Sequence, residues 1–132
     1  MPGSICFHWV GMSCGWLRGA ICLHHQFHDN TVSVIDIVNG KVVINTIPVG
    51  SNPYGIAVNP ASTYAYVTNS GSNPGTVSVI DLTQKVVTAV IPASGGPSGG
   101  AVSPSGASVY VSGNLNKTLS VIDTTTTRSR RQ

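Results

Sequence analysis

Glutamate is absent from all 132 residues, and charged residues of every kind make up only 8% of the chain. An average soluble domain carries about 25%. Paired carboxylates for acid–base catalysis are therefore missing. Histidine and cysteine are confined to one end: His8, His24, His25 and His28, with Cys6, Cys14 and Cys22, all precede Asp29. From Asn30 onward Ser and Thr are plentiful, but no His or Glu stands by to activate them as nucleophiles. Three cysteines, an odd number, give no closed disulfide framework. No phosphate-cradling G-x-x-x-x-G-K-[ST] loop occurs, because the glycine-rich stretch Ser94–Gly100 is a turn with no helix after it. No apolar run approaches the roughly 20 residues that a membrane-spanning helix needs. Amphipathic helix spacing is also lacking from Asn30 onward.

The net charge of +3 is not a basic face. Lys41, Lys85 and Lys117 balance Asp36, Asp81 and Asp123, and Arg18 balances Asp29. The excess sits on Arg128, Arg130 and Arg131 at the chain end. Three charges without interleaved aromatics read as a solvated tail rather than a processing site or a nucleic-acid contact, so no nucleic-acid partner is expected. The three lysines read as solvated turn charges. Asn116-Lys117-Thr118 fits the glycosylation sequon, which matters only in a secretory context.

Residues 1–29 differ in character from the rest. They hold both Trp and both Phe residues, and their apolar stretch is broken by His8 and Arg18. A signal peptide has a basic start, an apolar run of about 7–15 residues and a small-residue cleavage site; only the length fits. The segment reads as non-repeat, either an atypical export signal or a non-native start, with the abrupt change at Asn30 favouring the latter. Cys22, His24, His25 and His28 invite a metal reading, since His24 and His28 would share a face if the segment were helical. No C-x2-C pair accompanies them, so no metal site and no cofactor are expected.

What is present from Asn30 onward is a repeat. Thr31-Val32-Ser33-Val34-Ile35-Asp36 returns as Thr76–Asp81 and again as Thr118-Leu119-Ser120-Val121-Ile122-Asp123, at offsets of 45 and 42 residues. Ile47-Pro48 returns as Ile91-Pro92, Pro53-Tyr54-Gly55 as Pro97-Ser98-Gly99, Ala57-Val58-Asn59-Pro60 as Ala101-Val102-Ser103-Pro104, and Tyr66-Val67-Thr68-Asn69 as Tyr110-Val111-Ser112-Gly113, each at 44. Anchors in constant order and spacing mark a structural period. Each period predicts four short strands, at Gly55–Val58, Tyr64–Thr68, Thr76–Leu82 and Val86–Ile91, rich in Val, Ile, Thr and Tyr. Turn residues separate them. Val77 and Val79 point to one face of their strand, Ser78 and Ile80 to the other, so the sheet is expected to be covered on both sides.

Four strands per roughly 44 residues is the period of a β-propeller blade. The order P-x-G-x-A-V-x-P, then Tyr66-Val67-Thr68-Asn69, then T-V-S-V-I-D, then K-V-V resembles the YVTN β-propeller repeat family along residues 30–124. The third copy departs from it at Ser112-Gly113, read as a turn position that tolerates change. The resemblance implies that the P-x-G-x-A-V strand lies innermost, where small residues (Gly55, Ala57, Gly99, Ala101) allow strands to converge. Some propellers hydrolyse lactones with an axial metal, but the axis-facing candidates Ser51–Gly55 and Ser94–Gly99 carry no acid. Asp36, Asp81 and Asp123 end the third strand of each period and are expected to accept backbone N–H bonds of the next turn.

The expected fold is all-β, with antiparallel four-stranded blades. Residues 30–50 supply a partial blade, 53–92 a full one and 97–124 another partial one, followed by a polar, basic tail at 125–132. About two blades make an incomplete ring, since propellers close with roughly 4–8. The reading is a part of a larger gene product, with assembly of several chains as the alternative; further blades or self-association are the expected partners, besides an unknown protein or surface ligand. Function is expected to be non-catalytic, as a binding or structural module of a cell-surface, extracellular or periplasmic protein. The alternative is a piece of a lactonase-like or redox-type propeller enzyme whose catalytic residues lie on other blades. No catalytic, cofactor or metal residues are assigned.

Overall fold

Runs of β-branched and aromatic residues, broken by Asn-Pro, Gly-rich and Asp-Leu-Thr-Gln turns, pair as hairpin after hairpin. The computed structural model describes residues 14–16, 21–26, 30–36, 42–61, 63–71, 74–93, 95–115, 117–126 and 128–131. Their strands form three four-stranded antiparallel sheets, each in simple sequence order. The first holds β1 (Cys14–Trp16), β2 (Ile21–Gln26), β3 (Thr31–Asp36) and β4 (Val42–Pro48). The middle sheet holds β5 (Pro53–Val58), β6 (Tyr64–Asn69), β7 (Thr76–Asp81) and β8 (Val86–Pro92). The third holds β9 (Pro97–Val102), β10 (Ser108–Gly113), β11 (Thr118–Asp123) and β12 (Arg128–Arg131).

The all-β architecture of antiparallel four-stranded blades is as the repeat implies, and the middle sheet is the full period 53–92. At either side of the repeat the structure goes further than the sequence pattern. Residues set apart as a non-repeat segment supply β1 and β2, the inner strands of the first sheet. Residues assigned to a polar tail supply β12, the fourth strand of the third. Both partial periods are thus completed to four strands. The physical reason is that a ladder is held by backbone groups, so Cys, His or Arg can fill it without the Val, Ile and Thr enrichment that marks a strand in sequence. The helix on which His24 and His28 would share a face does not form, because Ile21–Gln26 is strand β2; His28 lies outside the described residues, as do Cys6, His8, Lys41, Ser94 and Asn116.

Register shows how closely the sheets repeat. Gln26↔Thr31 through Ile21↔Asp36, Asn69↔Thr76 through Tyr64↔Asp81, and Gly113↔Thr118 through Ser108↔Asp123 are the same six-pair ladder. The ladder shifts by a residue between Val34 and Ile35 in the first sheet and between Val79 and Ile80 in the middle one. A second shift recurs near Pro53–Gly55 and opposite Val111–Gly113. Such bulges bend a strand and increase its twist, and here they recur at matching places in the period.

The sheets stack face to face through two apolar clusters. Val32 and Ile47 of the first sheet pack on Ile56, Ala65, Val67 and Ile80 of the middle one. On the opposite face of the middle sheet, Tyr66, Val77, Val79 and Ile91 pack on Val109, Val111 and Ile122 of the third. The middle sheet is therefore covered on both sides, as the two-faced pattern of β7 requires. Fully burying a side chain such as Ile80 or Val67 contributes about 1.5–3 kcal/mol, so these two seams hold the stack together. The inner strands β5 and β9 lie side by side, and β1 and β2 pack on β5 from the other side.

Candidate functional site

The inner strands are where a propeller's axial chemistry would stand, and there a hydroxyl joins two sheets. Thr68, 1% exposed in β6, donates its hydroxyl to the Ser98 carbonyl of β9 at 2.7 Å and accepts the Gly55 amide at 2.9 Å. One hydroxyl thus ties β6 to β5 in its own sheet and to β9 in the next. Gly55 permits this closeness: a Cβ there would stand 2.6 Å from the Ser98 carbonyl oxygen. The neighbouring Asn69, fully buried, donates from Nδ2 to Ser78 Oγ at 2.9 Å and to Thr76 Oγ1 at 3.2 Å. Its Oδ1 is buried without a partner among the described residues.

These two positions correct the sequence reading of Ser112-Gly113 as a tolerant turn. Thr68 and Asn69 lie within β6, and Ser112 and Gly113 within β10. The change from Asn to Gly has a structural cost. Thr118 takes the place of Thr76 in the ladder, and with no amide at Gly113 its buried Oγ1 is left without a partner among the described residues. The alternation of the strand runs on through Thr68 and Asn69, and that was the signal available in the sequence.

The axis-facing segments are clipped by backbone bonds. Ser70 N–H donates to the Asn52 carbonyl and Gly71 N–H to Ser51, both at 3.0 Å, and Asn30 Oδ1 accepts the Asn52 amide at 2.9 Å. One period later Asn114 N–H donates to Gly96 and Leu115 N–H to Gly95. Asn52 takes a φ of 50° and Gly96 one of 63°; Asn and Gly tolerate that left-handed region best.

Asp81 and Asp123 behave as turn acceptors. Asp81 Oδ1 accepts the Thr83 amide at 2.8 Å and the Gln84 amide at 3.2 Å. Asp123 Oδ1 accepts the Thr125 amide at 2.8 Å and its hydroxyl at 2.6 Å. Asp36 ends β3 at the same ladder position. Lys85 follows in the same turn with a φ of 58°, its amide donating to the Asp81 carbonyl at 2.7 Å, and Lys117 has a φ of 50°. Arg128, Arg130 and Arg131 lie on β12, paired with Asp123, Val121 and Ser120 of β11. Among the described residues no group of three His, Cys, Asp or Glu stands together, and no helix is long and apolar enough to cross a membrane. Burial, with a smaller push from Tyr64, raises the Tyr66 phenol above its ordinary value of 10.0.

One surface stands apart, and sequence reasoning did not single it out. Tyr110 and Leu119 hold the places in the third sheet that Tyr66 and Val77 hold in the middle one. Tyr66 and Val77 are 5% and 0% exposed; Tyr110 and Leu119 are 42% and 39%.

Antiparallel four-stranded sheets stacked through apolar faces, with glycine-rich inner strands side by side, define a β-propeller-like fold. No protein-family model and no curated protein matches the chain. Among solved structures it is similar to hydrazine synthase of Kuenenia stuttgartiensis, with a TM-score of 0.85, 25% identity, and 99% of this chain covered. It is also similar to a functionally unknown protein from Desulfotomaculum acetoxidans, with a TM-score of 0.69 and 21% identity over 79% of this chain. The chain spans only 38% and 34% of the lengths of those two chains.

Proposed function

We propose that the chain is a non-catalytic propeller segment of the YVTN type, serving as a binding or structural module of a surface or periplasmic protein. The observation that carries this reading is how the signature polar residues are used. Thr68 joins two sheets, Asn69 braces its own sheet, and Asp81 and Asp123 close turns. A side chain committed to two or three structural hydrogen bonds is poorly placed to act as a base or ligand without breaking them. The test is hydrolysis of a lactone panel by the full chain with divalent cations added. No rate above buffer is expected. A rate that Asp81→Asn and Asp123→Asn remove together would refute the non-catalytic reading.

A second reading has one observation in its favour: the neighbour at 25% identity over nearly the whole chain is a synthase. On that reading this segment is scaffold within a propeller enzyme, and the reacting groups stand on other blades. Sequencing outward from both sides of the segment separates the two. Further blades bearing a His, Asp or Glu cluster at the axis favour the enzyme; blades without one favour the binding module.

A further inference from the structure

We infer that residues 95–97, at the entrance to inner strand β9, open as a local strap together with the loop that holds them, while their counterpart at residues 51–53 stays closed. The inference concerns motion and holds whichever functional reading is right. Both segments are clipped by loop amides, one period apart: Ser70 and Gly71 donate to Asn52 and Ser51, and Asn114 and Leu115 donate to Gly96 and Gly95. The earlier clip has reinforcements that the later one lacks among the described residues. Asn69, fully buried, braces the base of its loop by donating to Ser78 at 2.9 Å and to Thr76 at 3.2 Å, where Gly113 offers no side chain. Ser70 Oγ adds a bond to the Asn52 carbonyl at 3.2 Å. Asn30 Oδ1 reaches across the first seam to the Asn52 amide at 2.9 Å. One period later Gly75 stands before Thr76 as Asn30 stands before Thr31, and it has no side chain to reach Gly96.

The later clip also sits beside a buried defect, because Thr118 Oγ1 has no partner among the described residues. Thr118 shares its strand face with Ser120 and Ile122, and Ile122 packs on the middle sheet. Every position compared therefore lies within one sheet or in one of the two closed seams. A buried hydroxyl regains hydrogen bonds from water when the loop end opens, so the orphan favours the open form at Thr118. At Thr76 the bond from Asn69 opposes opening. Gly95, Gly96 and Pro97 are buried in the closed form. Leu115 lies against Gly96, where a Cβ would stand 2.8 Å from its Cγ, and is itself 70% exposed, so it is the cover that lifts. Opening confined to a few weakly held residues is how a folded chain supplies a movable segment.

The test is residue-resolved amide hydrogen exchange on the full chain, with circular dichroism to confirm that each variant keeps its β structure. Thr124 N–H donates to Ala107 and Leu82 N–H to Thr63. The alternation of an antiparallel ladder then makes Gly113–Thr118, Val111–Ser120 and Asn69–Thr76 hydrogen-bonded pairs. The amides of Gly113 and Asn114 are expected to exchange about tenfold faster than those of Asn69 and Ser70, with Val111 still protected. Thr118→Val removes the orphaned hydroxyl and keeps the shape, and is expected to slow exchange at Gly113 about tenfold. Thr76→Val takes a partner from Asn69 and is expected to speed exchange there, so the same substitution has opposite signs at the two ladder places. Equal protection of the two clips overturns the inference. So does a Val111 amide as fast as that of Gly113, which marks opening of the whole sheet rather than of a strap. A Thr118→Val variant that speeds exchange at Gly113, or leaves it unchanged, overturns it too.

Discussion

Replacing Thr68 by Val tests whether one hydroxyl joins neighbouring blades. Valine keeps the β-branched shape and fills the same 1% exposed site, so little cavity or strain enters. What is lost is a donor to the Ser98 carbonyl at 2.7 Å and an acceptor for the Gly55 amide at 2.9 Å. Each hydrogen bond contributes about 0.5–1.5 kcal/mol net, and a buried partner left unpaired costs about 1–3 kcal/mol. Gly55 and Ser98 are partly accessible, which keeps the sum near the lower end, at about 2 kcal/mol. With a urea m-value of about 2 kcal/mol/M, the midpoint falls by about 1 M. The assay is urea unfolding of the full chain followed by circular dichroism. Ser112→Ala is the internal control, because the same ladder position there reaches no second sheet and is expected to shift stability by less than about 0.5 kcal/mol. If Thr68→Val costs no more than Ser112→Ala, the account of the seam is refuted.

Gly55→Ala is expected to destabilise by about 1–3 kcal/mol through overpacking against the Ser98 carbonyl, measured as a fall in thermal midpoint. Ile80→Ala, at 0% exposure in the first seam, is expected to cost about 2–5 kcal/mol and to report whether the seam is packed. The raised Tyr66 phenol gives an alkaline signature: its contribution is complete below pH 10.0, where the unfolded phenol is still neutral, and is lost as pH rises through the higher folded value. Tyr66→Phe is expected to flatten that alkaline fall in a pH series of midpoints. Asp81→Ala, which strands the Thr83 and Gln84 amides, is expected to cost about 1 kcal/mol, with Asp81→Asn milder because an acceptor oxygen remains.

The blade order was legible because its signals are local. Val77 and Val79 against Ser78 and Ile80 announced a sheet covered on both faces, and Asp81 announced its turn. What the pattern did not disclose depends on backbone or on distance in the chain. Cys22, His24 and His25 take part in a ladder without looking like strand residues, and Arg128–Arg131 pair with β11 although their composition is that of a tail. Thr68 and Ser98 are 30 residues apart, so their bond cannot be read from spacing. The orphaned Thr118 hydroxyl follows from a glycine five positions earlier, a consequence visible only once the ladder is known. The exposure of Tyr110 and Leu119 was not legible either, because in sequence the pair looks like any other copy of the repeat.

Amide hydrogen exchange, resolved to β2 and β12, tests most directly the claim that three complete four-stranded blades form from this chain. Amides in a formed ladder exchange only through opening, and those in core strands approach the global stability. The account predicts that ladder amides of Ile21–Gln26 are protected like those of Tyr64–Asn69, and that Arg128–Arg131 are slowed well beyond an open chain. Exchange at open-chain rates in both segments, with protection confined to residues 30–124, would contradict it.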